Sequence, residues 1–363
     1  MASSRTLARH GWSLQCKLSP NADAKLAVLD QWLRTSRNPA AVMVQIDWRY
    51  KSDEAAGLLG QVRQRLEAAS KTPRLVFWDH YDGVGSPHLS VLPHVDTYLK
   101  KQLPRDLSLL AIGPDTGGAL AERVRALYEP EHAPANPDET VLDLLKTQSQ
   151  KLLAGWNLGA ANYIQARLFR RRWLPGAVLT PRFVTPQADR TNDLHCRVGL
   201  GDHGIEDWYR RHRRAVLASL EALPGRYSRI LGAFGGELGP SIPTRRYRQE
   251  LANTRICVSP FGYGEVCYRD YEAVAAGCVL AKPDMSHVRT EPDIYIPHET
   301  YIPFRLDLSD LHEALQPYLA DPARCAALAE AARARLADYF RSQPWTRPFL
   351  EACEGPQSAW IGA

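Results

Sequence analysis

The chain has 363 residues, 45% of them apolar and 23% charged, with 45 basic against 40 acidic side chains. That composition excludes a disordered chain and a disulfide-stapled miniprotein, and a net charge of +5 is too mild to mark a nucleic-acid binder. At roughly 100–200 residues per domain, the length predicts two domains. No run approaches the roughly 20 apolar residues of a membrane helix. Residues 1–14 lack the apolar core of a signal peptide. Seven cysteines without a CxxC pair read as reduced thiols of a cytosolic protein. The basic set is 36 Arg and 9 Lys. A coding bias explains that ratio, and so do guanidinium forks that grip phosphate or carboxylate.

Strands and helices alternate along the chain, which predicts an α/β fold. The run 41–47 (AVMVQID) reads as a buried strand. Residues 51–69 have helical spacing, 74–78 (RLVFW) form a second strand, and 95–99 a short strand or turn. Residues 106–112 (DLSLLAI) read as a third strand, followed by a helix to about Tyr128. Helices are predicted over 141–153 and 160–173. Pro175, Pro181 and Pro186 mark a linker at about 175–190. The second half restarts with strands at 193–198, 227–231, 255–259 and 279–281. Helices are predicted between them, from Ile205 to Leu223 and over 243–253. Two more follow at 309–319 and from Asp321-Pro322 to about Phe340, the latter opened by an N-cap and first-turn proline. Trp345, Phe349 and Trp360 give the tail an aromatic surface suited to packing back on the first domain.

The segment 255–284, RICVSPFGYGEVCYRDYEAVAAGCVLAKPD, is the most informative. A buried strand ends in Ser259-Pro260, a glycine loop follows, then a helix predicted to begin near Glu265, then Gly277 and another strand. In an open parallel sheet such a loop lies at the carboxyl edge, where ligands bind. A helix N-terminus there suits a diphosphate. On that helix Glu265, Arg269 and Glu272 share one stripe at i, i+4 and i+7, and most of the remaining circumference is apolar. The stripe faces a polar cleft or forms a self-neutralising surface ladder. Helical spacing alone leaves both readings open.

Over 193–340 the chain resembles the donor domain of GT-B glycosyltransferases, in the group 1 and exostosin-like branch of bacterial polysaccharide and lipopolysaccharide synthesis. The string SPFGYGE, then CYRDYEAVAAGCV, KPD and PDIYIPHETYIPFRLDLSDL carry the resemblance. The first half is similar more loosely, through FWDHYD and VDTYLKK. The resemblance implies two Rossmann-like domains across a cleft: 1–175 on the acceptor side and 176–342 for the donor, with 343–363 as a tail. It implies a nucleotide-diphospho-sugar cosubstrate, no bound metal and no other cofactor. Glu272 corresponds to a glutamate that binds the donor ribose. Arg269 would neutralise the diphosphate or brace the glutamates. Gly262, Tyr263 and Gly264 would admit the sugar or phosphate close to backbone. Arg197 is a second diphosphate candidate, and Lys282 and Asp284 are placed to touch the donor sugar or form a plain turn. The family's retaining members have seven residues between two glutamates, whereas six separate Glu265 from Glu272. This departure puts the catalytic role of Glu265 and the stereochemical course in question.

Asp79, His80 and Asp82 follow a first-domain strand and offer a base for the acceptor hydroxyl, or a turn. His10-Gly11 is a weaker acceptor-side candidate. The runs 170–172 and 210–214 are basic, reading as solvated faces or as a hold on an anionic acceptor or membrane surface. No GxSxG elbow, Walker A loop or GxGxxG fingerprint is present. The sequence therefore predicts a cytoplasmic glycosyltransferase, peripheral to the inner membrane face or to an assembly complex. It would act on a saccharide or glycolipid and not on nucleic acid. A sugar-nucleotide epimerase or hydrolase on the same fold is the alternative within enzymes. A non-catalytic carbohydrate-binding partner protein is the alternative outside them.

Overall fold

The alternating apolar runs build two separate parallel sheets. The computed structural model describes residues 21–35, 40–46, 51–70, 72–86, 88–113, 117–155, 182–200, 208–235, 240–342 and 346–354. The first lobe contains α1 (Ala22–Thr35), β1 (Ala41–Gln45), α2 (Ser52–Ala68), β2 (Arg74–Asp79), β3 (Thr97–Lys100) and β4 (Gln102–Pro104). It continues with α3 (Gly118–Tyr128), α4 (Glu139–Gln148) and β5 (Leu152–Ala154). Its main sheet has the order β1-β2-β3-β5 and is parallel throughout. Leu75, Val76 and Phe77 of β2 are all completely buried. A strand covered on both faces needs such a continuous apolar run.

The second lobe contains β6 (Asn192–Gly199), α5 (Trp208–Ala222), β7 (Arg229–Phe234), α6 (Thr244–Ala252), β8 (Thr254–Val258) and α7 (Tyr268–Ala275). Then come β9 (Val279–Pro283), β10 (Val288–Thr290), β11 (Tyr301–Phe304), α8 (Leu311–Ala320) and α9 (Pro322–Ser342). The sheet order is β11-β9-β8-β6-β7, again all parallel. The chain winds outward to β7 on one side of β6 and to β8 on the other. The carboxyl ends of β6 and β8 therefore flank a topological switch point, where an open α/β sheet leaves a crevice. Asp321 caps α9 as its sequence predicts, accepting the N–H groups of Ala323 and Arg324 at 3.0 Å.

The lobes meet along a seam. Strands β4 and β10 pair antiparallel, Thr290 opposite Gln102. One apolar cluster joins Val84, Leu120 and Val124 of the first lobe to Trp208, Phe261 and Tyr271 of the second. A last helix, α10 (Thr346–Glu354), returns to the first sheet. There Ala352 packs with Val76 and Leu99, and its carbonyl accepts the Thr97 hydroxyl at 3.2 Å.

The α/β class and two Rossmann-like lobes agree with the sequence. Two elements differ. Residues 107–111 form a 3-10 turn rather than a third strand, because the Asp106 carboxylate caps Ser108 N–H at 3.0 Å and coils the chain. The third strand position in the sheet belongs to β3. The helix predicted over 141–153 stops at Gln148, and β5 follows. The helix predicted over 160–173, the arginines at 170–172, His10-Gly11, Trp345 and Trp360 lie outside the described residues.

Candidate active site

Three sequence candidates sit where β2 ends, and they have different environments. Asp79 is completely buried. Its Oδ2 is 3.0 Å from Lys100 Nζ and accepts the Tyr98 hydroxyl at 3.0 Å, while Oδ1 accepts Tyr81 N–H at 2.7 Å. Burial alone would raise this carboxyl, but the Lys100 charge and the hydrogen bonds outweigh it and hold Asp79 at about 2. Asp79 is thus an ionised strut fixing the end of the sheet. His80 packs its ring on Trp78, with centroids 4.9 Å apart. Burial, then the nearby Lys101 charge, lower it to about 4, so it is neutral at physiological pH. Its Nε2 is buried and has no hydrogen-bond partner among the described residues. Asp82 is exposed, paired with Lys101 Nζ at 2.6 Å.

Across the seam, the loop after β8 is closed by Gly262 N–H donating to the Gly264 carbonyl at 3.1 Å. A Cβ on Gly264 would lie 2.0 Å from the Asp82 carbonyl oxygen, and one on Gly262 would lie 2.6 Å from Arg213 Nη2. The close approaches these glycines permit are to the first lobe and to an arginine.

Glu265 corrects the sequence expectation. Helix α7 begins at Tyr268, where the Asp270 carboxylate caps Cys267 N–H at 3.0 Å. Glu265 therefore precedes the helix and leaves the stripe of Arg269 and Glu272. Its completely buried side chain lies in the seam, where Oε2 accepts Val84 N–H and the Gln102 amide, both at 2.9 Å. Its Oε1 has no partner among the described residues, and burial raises its pKa.

Other candidates are held by protein groups. Lys282 is buried and lies 3.1 Å from Asp270 Oδ2. Asp270 also accepts the Ser259 hydroxyl at 2.6 Å and the Tyr295 hydroxyl at 2.8 Å. This carboxylate gathers the ends of β8 and β9 and the start of α7. Asp284 forms a turn with Ser286, accepting its N–H at 3.2 Å. Arg197 is gripped bidentately by Glu250 on α6, at 2.6 and 2.9 Å.

Two guanidiniums without ion-pair partners among the described residues lie at the switch point. Arg213, on α5, donates its Nε to the Phe261 carbonyl at 2.9 Å and its Nη1 to the Gly199 carbonyl, tying the ends of β8 and β6 together. Arg269 donates to Ser259 Oγ at 3.2 Å. Both charges act on the Cys196 thiol beneath them. Among the described residues neither guanidinium has a carboxylate in ion-pair range. Glu272 lies one helical turn beyond Arg269. Burial raises its pKa, opposed by the nearby Tyr247 hydroxyl and the Arg269 charge. Tyr263 is 44% exposed at the lip of this edge, its ring 4.4 Å from that of Tyr209. Sequence reasoning missed Arg213. It sits in an arginine run that reads as a solvated face, and only the strand order reveals its position.

Among the described residues no group of three or more His, Cys, Asp or Glu side chains is gathered as for a metal ion, and no helix is long and apolar enough to cross a membrane. Two Rossmann-like lobes are thus joined so that the carboxyl edge of one meets the glycine loop of the other. Residues 210–351 match the family model described as "Glycosyl transferase-like". No curated protein sequence matches it.

Solved structures similar to the chain include the lipopolysaccharide outer core galactosyltransferase WaaB, with 11% identity over 90% of this chain and 78% of that one, TM-score 0.46. An E. coli trehalose-6-phosphate protein bound with UDP-2-fluoro glucose has 11% identity over 92% and 78%, TM-score 0.48. WaaG, a glycosyltransferase involved in lipopolysaccharide biosynthesis, has 14% identity over 93% and 96%, TM-score 0.38.

Proposed function

We propose that the protein moves a sugar from a nucleotide-diphospho-sugar to a hydroxyl of a saccharide or glycolipid. The observation that carries this reading is the pair Arg213 and Arg269. They are two guanidiniums without carboxylate partners among the described residues, at the switch-point edge and beside Glu272. Cations held in a partly dry site stabilise developing negative charge far better than cations in water. A leaving nucleoside diphosphate develops such charge. Glu272 is suited to the ribose, because a carboxylate accepts from both hydroxyls of a diol.

The acceptor enters from the first lobe. There His80, neutral and with an unengaged Nε2, takes the acceptor proton as the hydroxyl attacks the sugar. Asp79 and Lys100 hold the strand end behind it. On this reading residues 1–175 form the acceptor-side domain and 176–342 the donor domain, with the tail returning to the first. The reaction runs in the cytoplasm, at the membrane periphery or within an assembly complex, without nucleic acid.

Product analysis tests the reading. The purified chain is incubated with labelled nucleotide sugars, with and without saccharide and glycolipid acceptors. Label appearing in an elongated acceptor supports it. Label released only as free sugar or as an epimerised nucleotide sugar contradicts it.

A further inference from the structure

Arg269 and Asp270 are neighbours on α7, yet they do not neutralise each other. Adjacent residues on a helix do not face one another, and Asp270 is committed elsewhere. Its completely buried carboxylate lies 3.1 Å from the buried Lys282 ammonium. It also accepts the Tyr295 hydroxyl at 2.8 Å and the Cys267 N–H at 3.0 Å. Charge is balanced within the Asp270–Lys282 pair, and the Arg269 charge is left over.

Ser259 stands between the two. It follows β8 directly and is completely buried. Its N–H donates to the Ala281 carbonyl at 2.8 Å and its own carbonyl accepts Lys282 Nζ at 3.3 Å, so β9 fixes its backbone. A serine hydroxyl has one proton to give. That proton goes to Asp270 Oδ1 at 2.6 Å, a length typical of a bond to an ionised oxygen. The hydroxyl oxygen is then left to accept, and Arg269 Nη1 donates to it at 3.2 Å. Among the described residues this oxygen is the one hydrogen-bond acceptor of Arg269.

We propose that Ser259 is the positioning residue of the diphosphate site: its hydroxyl, oriented by Asp270, holds the Arg269 guanidinium with a neutral oxygen, so that the side chain is ordered while its charge is kept for the diphosphate. The inference rests on the reading of Arg269 as a diphosphate ligand. A carboxylate in the place of the hydroxyl would order the arginine equally well, but would cancel the charge that draws the anion. An unheld arginine would keep its charge and lose affinity to the ordering of a long side chain. A serine whose proton is already donated avoids both losses. The Arg213 guanidinium is held in the same manner, by the neutral carbonyls of Phe261 and Gly199. Lys282 acts from behind, as the counter-charge to Asp270 rather than as a ligand.

The test is calorimetric titration of the full chain with inorganic pyrophosphate and with UDP. Wild type, Ser259→Ala, Ser259→Cys, Ser259→Thr, Arg269→Ala and the double variant Ser259→Ala/Arg269→Ala are compared. Ser259→Ala leaves Asp270 with Lys282, Tyr295 and the Cys267 N–H, so the buried ion pair survives. Ser259→Cys fills nearly the same space with a weak acceptor. Both should weaken pyrophosphate and UDP binding by about tenfold. Ser259→Thr keeps the hydroxyl and should restore binding to within about threefold of wild type. In the Arg269→Ala background Ser259→Ala should weaken binding no further, a non-additivity that general loosening of the loop would not produce. If Arg269→Ala weakens binding while Ser259→Ala and Ser259→Cys bind as wild type does, the inference falls and the diphosphate reading stands. The same holds if Ser259→Ala weakens binding equally with and without Arg269. If Arg269→Ala binds both anions as wild type does, or wild type binds neither, the diphosphate reading falls and takes the inference with it.

Discussion

The Glu265 carboxylate of the second lobe accepts the Val84 backbone N–H of the first at 2.9 Å, inside the seam. This bond and its companion from Gln102 make Glu265 part of the joint between the lobes. Glu265→Ala leaves the Val84 N–H buried and unsatisfied, at about 1–3 kcal/mol, and strips the Gln102 amide of one of its two acceptors, the other being the Asp82 carbonyl. Scanning calorimetry should show a large drop in melting temperature. Glu265→Gln keeps the accepting oxygen and should fall less. The raised carboxyl pKa gives the sign with pH. Wild type carries a charge-burial penalty at neutral pH that is relieved as pH falls through the folded value. Glu265→Gln therefore compares best at neutral pH and worse in acid.

The two glycine environments predict opposite outcomes. A Cβ on Gly264 meets the Asp82 carbonyl oxygen at 2.0 Å, so Gly264→Ala must push the lobes apart or refold the loop. Gly57 lies in α2 with nothing within 4 Å of its would-be Cβ. Gly57→Ala should stabilise by about 0.5–1 kcal/mol through helix propensity and a less flexible unfolded chain. Equal melting shifts in the two variants would contradict the seam geometry.

The Asp79–Lys100 pair is buried on both sides. Asp79→Ala strands the Lys100 ammonium and should cost about 3–5 kcal/mol. Asp79 sits at about 2 in the folded chain, below the ordinary value of about 3.9. The folded state binds this proton less readily than the unfolded chain does. The stabilisation is therefore complete above pH of about 4 and is lost as pH falls through about 2. Acid-unfolding curves should be steeper for wild type than for Asp79→Asn in that window.

His80 is held near 4, so its base form is present throughout neutral pH. If it takes the acceptor proton, kcat should be flat from about pH 6 to 8 and fall toward 4. His80→Gln should then lower kcat by about 10²–10⁴ with donor binding unchanged. A variant with wild-type kcat would move the base elsewhere.

The second lobe was more legible in the sequence than the first, for a physical reason. Its strands are short apolar runs punctuated by glycine, proline and caps such as Asp321, and each signal is local. The 3-10 turn at Leu107–Ala111 carries the same apolar run as a strand, and only the Asp106 cap decides the coil. The pairing of β4 with β10 joins residues about 180 positions apart, and three-residue strands leave no periodicity to read. The stripe of Glu265, Arg269 and Glu272 assumed a helix beginning three residues too early. Asp270, which sits at the edge of that stripe, is the group that delays it. Arg213 was hidden because a run of arginines looks alike in sequence, whereas the strand order assigns one of them to the switch point.

The most direct test of the donor site is the melting temperature of the chain with nucleoside diphosphates and their sugars, in wild type, Arg213→Ala and Arg269→Ala. Ligand binding to the folded state alone raises the midpoint. The account predicts a concentration-dependent rise for wild type that shrinks with added salt and is largely lost in either variant, with Arg213→Lys failing to restore it because only the fork spans both carbonyls. An undiminished rise in both alanine variants would contradict the account.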